Sequence, residues 1–398
     1  MTGQPIRALF VGHTAAPSGA ELATARLVAA LRESHPVEAS VILTEDGPMI
    51  AKMRAQGIPT TVLPNAFDSR SMTIQGSGWL RRLAGGAALL RVGWSLGAAA
   101  RDHRADVLIA GSTKALVMSA VAAARARIPL LWQVHDRISA EYFGRTLSLM
   151  IRALGWIVAD GYIANSRSTA DTVARWRRRS VIAYPGADFS RTTGTRREPQ
   201  RAPEEATVAV VGRLTPWKGQ DVVLRALART ALRPRRVYLV GGTFFGEESF
   251  RNELEDLARE LQLPVEFTGH VDDPTEILLG SDILVHSSVI AEPFGQVIVE
   301  GLQAGCAVIA TRPGGPAEIV EPDVSGLLVD AGDTADLTVA LDQLIADAQL
   351  RTRLAQAGRL RAQRFDVAES ARVVAKFLAD IVTSRGGHTR TATEMPRA

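Results

Sequence analysis

The feature that most constrains the fold is a regular alternation of short apolar runs with longer amphipathic stretches. Runs of this kind are typical of parallel strands that are buried on both faces, and the stretches between them have helical periodicity. Strands that alternate with helices predict parallel sheets covered by helices on both sides. The predicted strands cover residues 6–11, 37–43, 60–63, 107–110, 129–134 and 161–164, then 207–211, 236–240, 265–268, 283–286, 307–310 and 326–329. About six strands in each half of the chain predict two doubly wound, Rossmann-like α/β domains in tandem.

A break in this pattern marks the domain boundary. Residues 191–206 have no apolar periodicity and are rich in Arg, Thr, Pro and Glu, which is typical of a linker. A chain of 398 residues also exceeds the roughly 250–300 residues at which single cores stop growing. We therefore predict an N-terminal domain over 1–190, a linker over 191–206 and a second domain over 207–365. Helical periodicity closes the chain at 334–346, 350–363 and 367–382, and residues 384–398 have the composition of a disordered tail.

The composition excludes several classes of protein. With 46% hydrophobic and 22% charged residues, the chain is neither disordered, collagen-like nor a disulfide-stapled scaffold. Cys306 is the single cysteine, which excludes an internal disulfide and a multi-cysteine zinc site and favours a reducing compartment. Neither a secretory leader pattern nor an uninterrupted apolar stretch of about 20 residues occurs. These observations predict a soluble, cytoplasmic protein.

The net charge of +4 is divided unequally along the chain. Residues 1–190 contain 22 Lys or Arg and 13 Asp or Glu, a balance of +9, whereas residues 191–398 contain 24 and 29, a balance of −5. A basic first half favours an anionic partner or an anionic surface. The alternative is compositional drift, because only four of the 46 cationic residues are lysines.

The segment from Glu292 to Glu300 is the most informative for function. Pro293 keeps Glu292 out of the helical region, and Gly295 allows a ligand to approach the backbone closely. A helix predicted from Gln296 places Glu300 one turn inside it, so two carboxylates flank a helix N-terminus that favours anions. Carboxylates suit vicinal sugar hydroxyls and the helix N-terminus suits phosphate, which predicts a sugar–diphosphate ligand. The alternative is a surface carboxylate beside a turn and an ordinary helical one.

A second segment carries two cations at the end of a predicted strand. Arg213 and Lys218 follow strand 207–211 on a loop that contains glycine and proline. Two cations at this position are able to clamp a diphosphate. A basic loop that is simply solvated remains the alternative.

Four segments of the second half, taken together, resemble the nucleotide-sugar-binding half of glycosyltransferase family four, the retaining enzymes of the GT-B fold. They are Gly212-Arg213 through Lys218-Gly219-Gln220, Phe267-Thr268-Gly269-His270-Val271, Glu292-Pro293-Phe294-Gly295 with Glu300, and Gly314-Gly315-Pro316-Ala317-Glu318. The first half is similar more loosely, at Ser18-Gly19-Ala20-Glu21, at His135-Asp136, at Ala164-Asn165-Ser166 and at Tyr184 to Asp188. The resemblance covers about residues 6–382. The chain departs from the family at Ser18, where a glycine is frequent, and at Gly301, where alanine is usual.

The resemblance implies a role for each matching residue. Arg213 and Lys218 would hold the donor diphosphate and stabilise the departing charge, Glu292 would hold hydroxyls of the transferred sugar, and His135 would reach that sugar from the first domain. The implied donor-binding positions are Gly19 under the diphosphate, Gly269, His270 and Val271 beside the base, Phe294, Gly295 and Gln296 at the sugar and phosphate, and Glu300 on the ribose. It further implies two domains that face each other across a cleft, with a C-terminal helix over 366–383 that crosses back to the first domain.

Three residues of the first-half motifs have structural alternatives. Ser18 and Glu21 have the spacing of a capping box for the helix after the first strand. His135 could be an ordinary histidine at a strand end, and His13 is a weaker candidate on the loop after the first strand.

The predicted activity is retaining transfer of a hexose from a UDP- or GDP-sugar to a hydroxyl acceptor. No Asp-x-Asp motif occurs, and no metal or other cofactor is expected. The expected product belongs to the cell envelope, an extracellular polysaccharide or a glycolipid. The alternatives are glycosylation of a small natural product, a non-catalytic protein that binds nucleotide sugar, and a GT-B epimerase or phosphorylase.

Acceptor binding is expected on the first domain, where three segments combine Trp or apolar residues with arginines. They are the apolar stretch from Trp79 to Arg104, residues 147–158, and Arg175 to Arg179. Such segments suit peripheral contact with the inner face of an anionic membrane. No nucleic-acid-binding module occurs, so a nucleic-acid partner is not expected. Solvated helix ends are the alternative.

Overall fold

The computed structural model describes residues 4–63, 79–187, 201–243 and 246–390, without the side chains of 79–87 and 385–390. The chain forms two compact units. Unit 1 comprises Met1–Gly186 and Val367–Ala398, and unit 2 comprises Ala187–Asp366. In the sequence, unit 2 is therefore inserted between two parts of unit 1.

Unit 1 is built on an all-parallel sheet of seven strands in the order β3-β2-β1-β4-β5-β6-β7. The short central strands are buried on both faces, as all four residues of Val107–Ala110 illustrate, which is why they read as continuous apolar runs. The strands are β1 (Ile6–Gly12), β2 (Val37–Leu43), β3 (Thr60–Val62), β4 (Val107–Ala110), β5 (Leu130–Val134), β6 (Gly161–Ala164) and β7 (Arg179–Ile182).

Helices cover both faces of this sheet. Side chains alternate along β1, so that Ala8 and Phe10 face one core and Leu9 and Val11 face the other. The first core includes α1 (Gly19–Ser34), α2 (Pro48–Ala55) and α15 (Val367–Arg390). The second includes α3 (Trp79–Asp102), α4 (Thr113–Ala126) and α6 (Arg145–Val158), and the short helices are α5 (Ala140–Phe143) and α7 (Arg167–Ala170).

Unit 2 contains a parallel sheet of six strands in the order β10-β9-β8-β11-β12-β13. The strands are β8 (Thr207–Val211), β9 (Arg236–Val240), β10 (Val265–Gly269), β11 (Ile283–His286), β12 (Ala307–Arg312) and β13 (Leu327–Asp330). The helices are α8 (Gln220–Leu227), α9 (Glu248–Glu260), α10 (Thr275–Leu279), α11 (Gln296–Ala304), α12 (Pro316–Ile319), α13 (Thr334–Ala346) and α14 (Ala348–Ala362). Short 3-10 turns lie at Pro203–Glu205, Pro216–Lys218 and Gln363–Phe365.

The strand order reverses direction once in each sheet. In unit 2 the reversal lies between β8 and β11, and in unit 1 it lies between β1 and β4. The loops that follow such neighbouring strands separate to opposite sides of the sheet and leave a crevice at the carboxyl ends. This topology singles out the loops after β8 and β11 as a binding position in unit 2.

The predicted fold class of two Rossmann-like α/β domains is confirmed. The first sheet, however, has seven strands, because the prediction missed β7 (Arg179–Ile182), an edge strand that is half-buried or exposed and begins with arginine and serine. Of the predicted linker, residues 191–200 lie outside the described ranges, and 201–206 belong to unit 2.

The predicted disordered tail was wrong for part of its length. Residues 384–390 continue α15, since a helix that is already packed extends at little cost, and residues 391–398 lie outside the description. Across the described residues, none of the helices combines the length and the apolar character needed to span a bilayer.

Candidate active site

A lysine and a glutamate meet where the strand order of unit 2 reverses. Lys218 ends the 3-10 turn after β8, and Glu292 lies on the loop after β11. The ammonium nitrogen Nζ of Lys218 is 2.7 Å from Oε2 of Glu292 and 4.3 Å from the centre of the Trp217 ring. The lysine that was predicted to bind the diphosphate and the glutamate that was predicted to bind the sugar therefore lie side by side.

The two loops that carry this pair are joined by hydrogen bonds. The backbone N–H of Val289 donates to the carbonyl of Trp217 at 2.9 Å, and the Ser287 hydroxyl donates to the carbonyl of Lys218 at 2.8 Å. Gly219 adopts a left-handed φ of +67°, and a Cβ there would lie 2.3 Å from the Ser287 carbonyl oxygen. Only glycine satisfies both the backbone angle and the close approach, so Gly219 fixes where Lys218 sits.

Glu292 is nearly buried, being 9% exposed, and is held by several donors. Ser288 Oγ donates to its Oε2 at 2.6 Å, and His286 Nε2 lies 3.3 Å from the same oxygen. Burial would raise the pKa of Glu292, but the charge of Lys218 and the hydrogen bond from His286 outweigh it and hold that pKa well below its usual range. Within the described part of the chain, the hydrogen bonds and the ion pair of the Glu292 side chain are made through Oε2.

His286 is itself oriented from the other side. Thr311 Oγ1 lies 3.4 Å from His286 Nδ1 and donates to the carbonyl of Ser288 at 2.9 Å. Thr311, Ser288 and His286 are all buried. The ring of His286 is thereby fixed edge-on to Glu292.

A pair of glycines supports the backbone of Glu292. The N–H of Gly315 donates to the carbonyl of Glu292 at 2.9 Å, and Gly314 forms an isolated bridge with Glu292. A Cβ at Gly315 would lie 2.3 Å from Cα of Phe294, and one at Gly314 would lie 2.5 Å from the Glu292 carbonyl oxygen. The Gly314-Gly315 motif is therefore required for packing beside the site.

The helix predicted after Glu292 begins where expected. Gly295 caps α11 with a left-handed φ of +99°, and Gln296 is its first residue. Glu300 is half-buried in the first turns of α11. The Phe294 ring, in contrast, is buried against Phe365 with ring centres 5.8 Å apart, so the side chain belongs to the core and its backbone remains the candidate contact.

The remaining predicted residues of unit 2 surround this position at neighbouring strand ends. The Arg213 guanidinium is paired with Glu247, Nε to Oε2 at 3.5 Å, and is half-buried. Gly269 ends β10 with a φ of +71°, followed by exposed His270 and half-buried Val271. Sequence reasoning did not find Glu247 as the carboxylate that faces Arg213, because α8, β9 and their loops separate the two in the sequence.

In unit 1, Gly19 is the first residue of α1 and is exposed, and a Cβ there would meet no atom within 4 Å. Ser18 has an extended φ of −132°, which any residue adopts, so the departure from glycine costs no backbone strain. Its hydroxyl contacts the carboxylate of Glu21 rather than a backbone N–H, and the reciprocal bonds of a capping box are not formed. Burial raises the pKa of the Glu21 carboxyl, and this effect outweighs the lowering caused by the hydrogen bond from Ser18.

His135 follows β5 and is held in one tautomer by its neighbours. The Thr24 hydroxyl donates to Oε1 of Gln133 at 3.3 Å, and Oγ1 of Thr24 also lies 3.3 Å from Nε2 of His135. Because the single Thr24 hydrogen is used, Nε2 carries the ring proton and Nδ1 is the acceptor. Burial lowers the pKa of His135 to about 4, so the ring is neutral at pH 7.

A second histidine of unit 1 contacts a serine where the strand order of that unit reverses. His13 follows β1, and its Nδ1 lies 2.8 Å from Oγ of Ser112, which caps α4 after β4. Burial, followed by the charge of Lys114, lowers the pKa of His13 to about 4. In the sequence analysis His13 is only a weaker candidate, and the contacts that Ser112 and His286 make were not predicted. The available signal in each case was a histidine at the end of an apolar strand.

Comparison with known proteins gives the family. A model described as Glycosyltransferase Family 4 matches residues 17–191, and one described as Glycosyl transferases group 1 matches residues 192–361. The lipopolysaccharide core biosynthesis glycosyltransferase LpsE of Rhizobium meliloti is 31% identical over 264 residues, which covers 65% of this chain and 71% of that relative. The chain belongs to glycosyltransferase family 4. It is a glycosyltransferase of the GT-B fold.

Other similar proteins place the glycosyltransferase within this family. Anabaena Alr3699/HepE, crystallised with UDP and glucose, superposes with a TM-score of 0.78 at 28% identity over 94% of this chain and 100% of that chain. The D-inositol 3-phosphate glycosyltransferase of Corynebacterium kroppenstedtii is 33% identical over 229 residues. This chain spans about half the length of that relative, 50%, and the match covers 54% of this chain.

One departure of this glycosyltransferase from its family has a packing reason. Gly301 lies in α11, where a Cβ would be 2.2 Å from Cδ2 of Leu284 and 3.2 Å from its Cβ and Cγ. Leu284 of β11 thus occupies the space that an alanine side chain would need.

Proposed function

We propose that this glycosyltransferase moves a hexose from a UDP- or GDP-sugar to a hydroxyl acceptor with retention of anomeric configuration. The observation that carries the proposal is the contact of Lys218 with Glu292 at the strand-order reversal of unit 2, beside the N-terminus of α11. A cation, a carboxylate and the N-terminus of a helix at one position suit a diphosphate joined to a sugar. The UDP and glucose of the Anabaena complex support a donor of this class.

Each candidate residue has a proposed role toward the donor. Lys218 and Arg213 bind the diphosphate, and Oε1 of Glu292 accepts hydrogen bonds from sugar hydroxyls. Glu300 binds the ribose. The other proposed contacts are Gly269, His270 and Val271 at the base, Phe294, Gly295 and Gln296 at the sugar and phosphate, Gly19 at the diphosphate, and His135 at the transferred sugar through Nδ1.

The proposed reaction needs charge stabilisation at the leaving phosphate. The acceptor hydroxyl attacks the anomeric carbon from the face that the nucleotide leaves, the bond to the phosphate oxygen breaks, and the acceptor proton passes to that oxygen. Lys218, Arg213 and the α11 N–H groups stabilise the charge that develops on the nucleotide. The proposal includes no metal ion, and an absolute metal requirement would overturn that part of it.

The proposed acceptor is a glycan or lipid-linked glycan of the cell envelope. The name of LpsE, a lipopolysaccharide core enzyme of which this chain covers 71%, supports this class. A small acceptor such as a natural product is the competing case, and the inositol phosphate relative, covered to 50%, gives it weaker support. A panel of lipid-linked and soluble acceptors with a radiolabelled donor separates the two.

A thermal-shift panel of nucleotide sugars tests the donor site. A bound donor at 100 times its dissociation constant stabilises the protein by about 2.7 kcal/mol. Lys218→Ala and Glu300→Ala are expected to abolish the shift, whereas Lys376→Ala, which removes an exposed lysine of α15, is expected to keep it. A full shift in both site variants would mean that the donor binds elsewhere.

Donor hydrolysis then distinguishes a transferase from a protein that only binds. Slow release of nucleoside diphosphate without acceptor is expected from the wild type and not from Lys218→Ala. NMR of the product is expected to give the anomer of the donor, and the inverted anomer would contradict the mechanism. Release of sugar phosphate or an epimerised donor would instead indicate the phosphorylase or epimerase class.

A further inference from the structure

One helix of unit 1 carries apolar side chains on the face that is turned to solvent. In α6 (Arg145–Val158), Ile151 and Gly155 lie against the core. Leu149, Met150 and Ile157 are instead 63%, 63% and 65% exposed. Met150 and Ile157 lie one and eight residues after Leu149, so the three side chains are on the same side of the helix. Single exposed apolar residues are common, but a strip along one helix needs an explanation.

An exposed tryptophan lies beside this helix and is fixed in place. Trp176, 65% exposed, stacks on Trp156 of α6 with ring centres 6.1 Å apart and an interplanar angle of 22°. Trp156 Nε1 donates to the carbonyl of Trp176 at 3.0 Å, and the Arg178 guanidinium donates to the carbonyl of Trp156 at 2.6 Å. These contacts join two segments that the sequence singled out separately, 147–158 and Arg175 to Arg179.

The two segments that carry these rings contain charged residues of one sign. Residues 145–158 and 174–179 contain six arginines and no aspartate or glutamate. The Arg177 guanidinium lies 4.5 Å above the Trp176 ring, and Arg145 and Arg177 are exposed. Asp171, the acid that pairs with Arg175, precedes this segment. The strip is therefore apolar and aromatic with cations among its rings.

A second aromatic–arginine pair lies on the same side of the sheet. Trp94 of α3 is 59% exposed, and the Arg125 guanidinium of α4 lies 4.2 Å above its ring. Helices α3, α4 and α6 all pack on the core that includes Leu9 and Val11. The side chains of the remaining sequence segment, Trp79 to Arg82, lie outside the described residues.

We propose that the α6 face, defined as Leu149, Met150, Ile157, Trp176, Arg145 and Arg177, docks unit 1 on an anionic lipid bilayer. Apolar side chains of an interfacial helix enter the acyl boundary, tryptophan rings lie at the headgroup level, and arginines pair with anionic headgroups. A soluble acidic partner accounts for the arginines but leaves the apolar strip exposed.

Co-sedimentation with vesicles tests the proposal. The wild type is expected to bind vesicles of phosphatidylcholine with 30% phosphatidylglycerol, to bind pure phosphatidylcholine far more weakly, and to be released by salt. Arg145→Ser/Arg177→Ser is expected to weaken binding by about 25-fold, at about fivefold for each arginine near the surface. Leu149→Ser/Ile157→Ser is expected to weaken it by tenfold or more.

Matched controls come from exposed residues of unit 2. Val339→Ser/Leu360→Ser and Arg353→Ser/Arg359→Ser remove the same side-chain types from α13 and α14, and they are expected to bind like the wild type. Trp176→Phe is expected to reduce the quenching of tryptophan fluorescence by brominated lipid.

Two results would overturn the proposal. The first is no binding of the wild type to anionic vesicles. The second is loss of binding in the arginine variant with the Leu149→Ser/Ile157→Ser variant unchanged, which would point to a soluble acidic partner. The docking proposal does not rest on the proposed donor chemistry, because vesicle binding needs no nucleotide sugar and donor-induced thermal shifts are expected to be unchanged in every variant of the α6 face.

Discussion

Lys218 and Glu292, 74 residues apart in the sequence, form an ion pair of 2.7 Å at the strand-order reversal of unit 2. Glu292 is 9% exposed, so the charge of Lys218, together with the hydrogen bond from His286, keeps its pKa low against the effect of burial. One contact therefore serves both stability and the proposed chemistry, and the two contributions are separable by mutation.

A double-mutant cycle separates them. Lys218→Met leaves a buried carboxylate without its main cation and is expected to cost about 3 kcal/mol, lowering the unfolding midpoint of unit 2 by roughly 10 °C. Glu292→Gln added to it is expected to restore most of that loss without restoring donor hydrolysis. Recovery of hydrolysis in the double variant would show that the pair is structural only. Calorimetry and nucleotide release measure the two outcomes.

The pH dependence of stability follows from the neutral histidines. The pKa of His135 is about 4 in the folded protein, against about 6.5 in the unfolded chain, so between these values the unfolded chain binds more protons. Stability is expected to be constant above pH 6.5 with respect to this group and to fall as the pH is lowered toward 4. The pKa of His13 is lowered in the same way, to about 4. His135→Gln is expected to flatten part of the fall in stability at low pH, and His13→Asn/His135→Gln is expected to flatten it further. An unchanged slope in both variants would contradict the assignment of this fall to the two histidines.

Thr24 is expected to act as a positioning residue for His135. Thr24→Val removes the oxygen that accepts from Nε2, so the ring is no longer held in the tautomer with Nδ1 free. A fivefold loss of turnover, equivalent to about one hydrogen bond, is expected with an unchanged donor-induced thermal shift. Thr24→Ser keeps the oxygen and is expected to behave like the wild type. Equal turnover in all three proteins would exclude the role.

Gly219 and Gly332 form a matched pair for testing the loop after β8. Their φ angles are +67° and +77°, but an added Cβ at Gly332 meets nothing within 4 Å, whereas one at Gly219 lies 2.3 Å from the Ser287 oxygen. Gly332→Ala is expected to cost about 1 kcal/mol, the backbone penalty alone. Gly219→Ala is expected to cost at least twice as much and to abolish the nucleotide-sugar shift, because Lys218 is displaced. Similar melting temperatures for the two variants would argue against the close approach.

Replacing Gly301 with alanine tests why the chain departs from the family at this position. Alanine gains about 1 kcal/mol of helix propensity over glycine, but overpacking against Leu284 costs about 1–3 kcal/mol. Gly301→Ala is therefore expected to lower the melting temperature of unit 2. In Leu284→Ala, the added methyl fills part of the cavity, so Gly301→Ala is expected to be stabilising in that background. A higher melting temperature for Gly301→Ala alone would show that Leu284 moves aside freely.

Much of the fold could be predicted from local pattern. The bounds of β4 (Val107–Ala110), β6 (Gly161–Ala164) and β11 (Ile283–His286) match the predicted ranges, because a strand buried on both faces is an apolar run bounded by polar residues. The edge strand β7 (Arg179–Ile182) has no such run and was missed. Strand order has no local signature at all.

The candidate site was predicted by residue but not by pairing. The sequence identified Lys218 and Glu292 through separate motifs, and the contact between them follows from β8 and β11 being neighbours, which only the folded sheet reveals. For the same reason the pairing of Arg213 with Glu247 was not foreseen. The stacking of Trp156 on Trp176 likewise depends on how α6 and the loop before β7 pack.

The last helix completes the first unit. Side chains of α15, among them Ala371, Val374 and Leu378, are buried in the same core as α1 and β1, although all of unit 2 lies between them in sequence. During synthesis on the ribosome, strands β1 to β7 emerge early but wait for α15 with one apolar face open, while unit 2 already has every segment of its own core. The unit made first is thus the unit finished last, and a nascent chain that stalls within unit 2 exposes that face to chaperones and proteases.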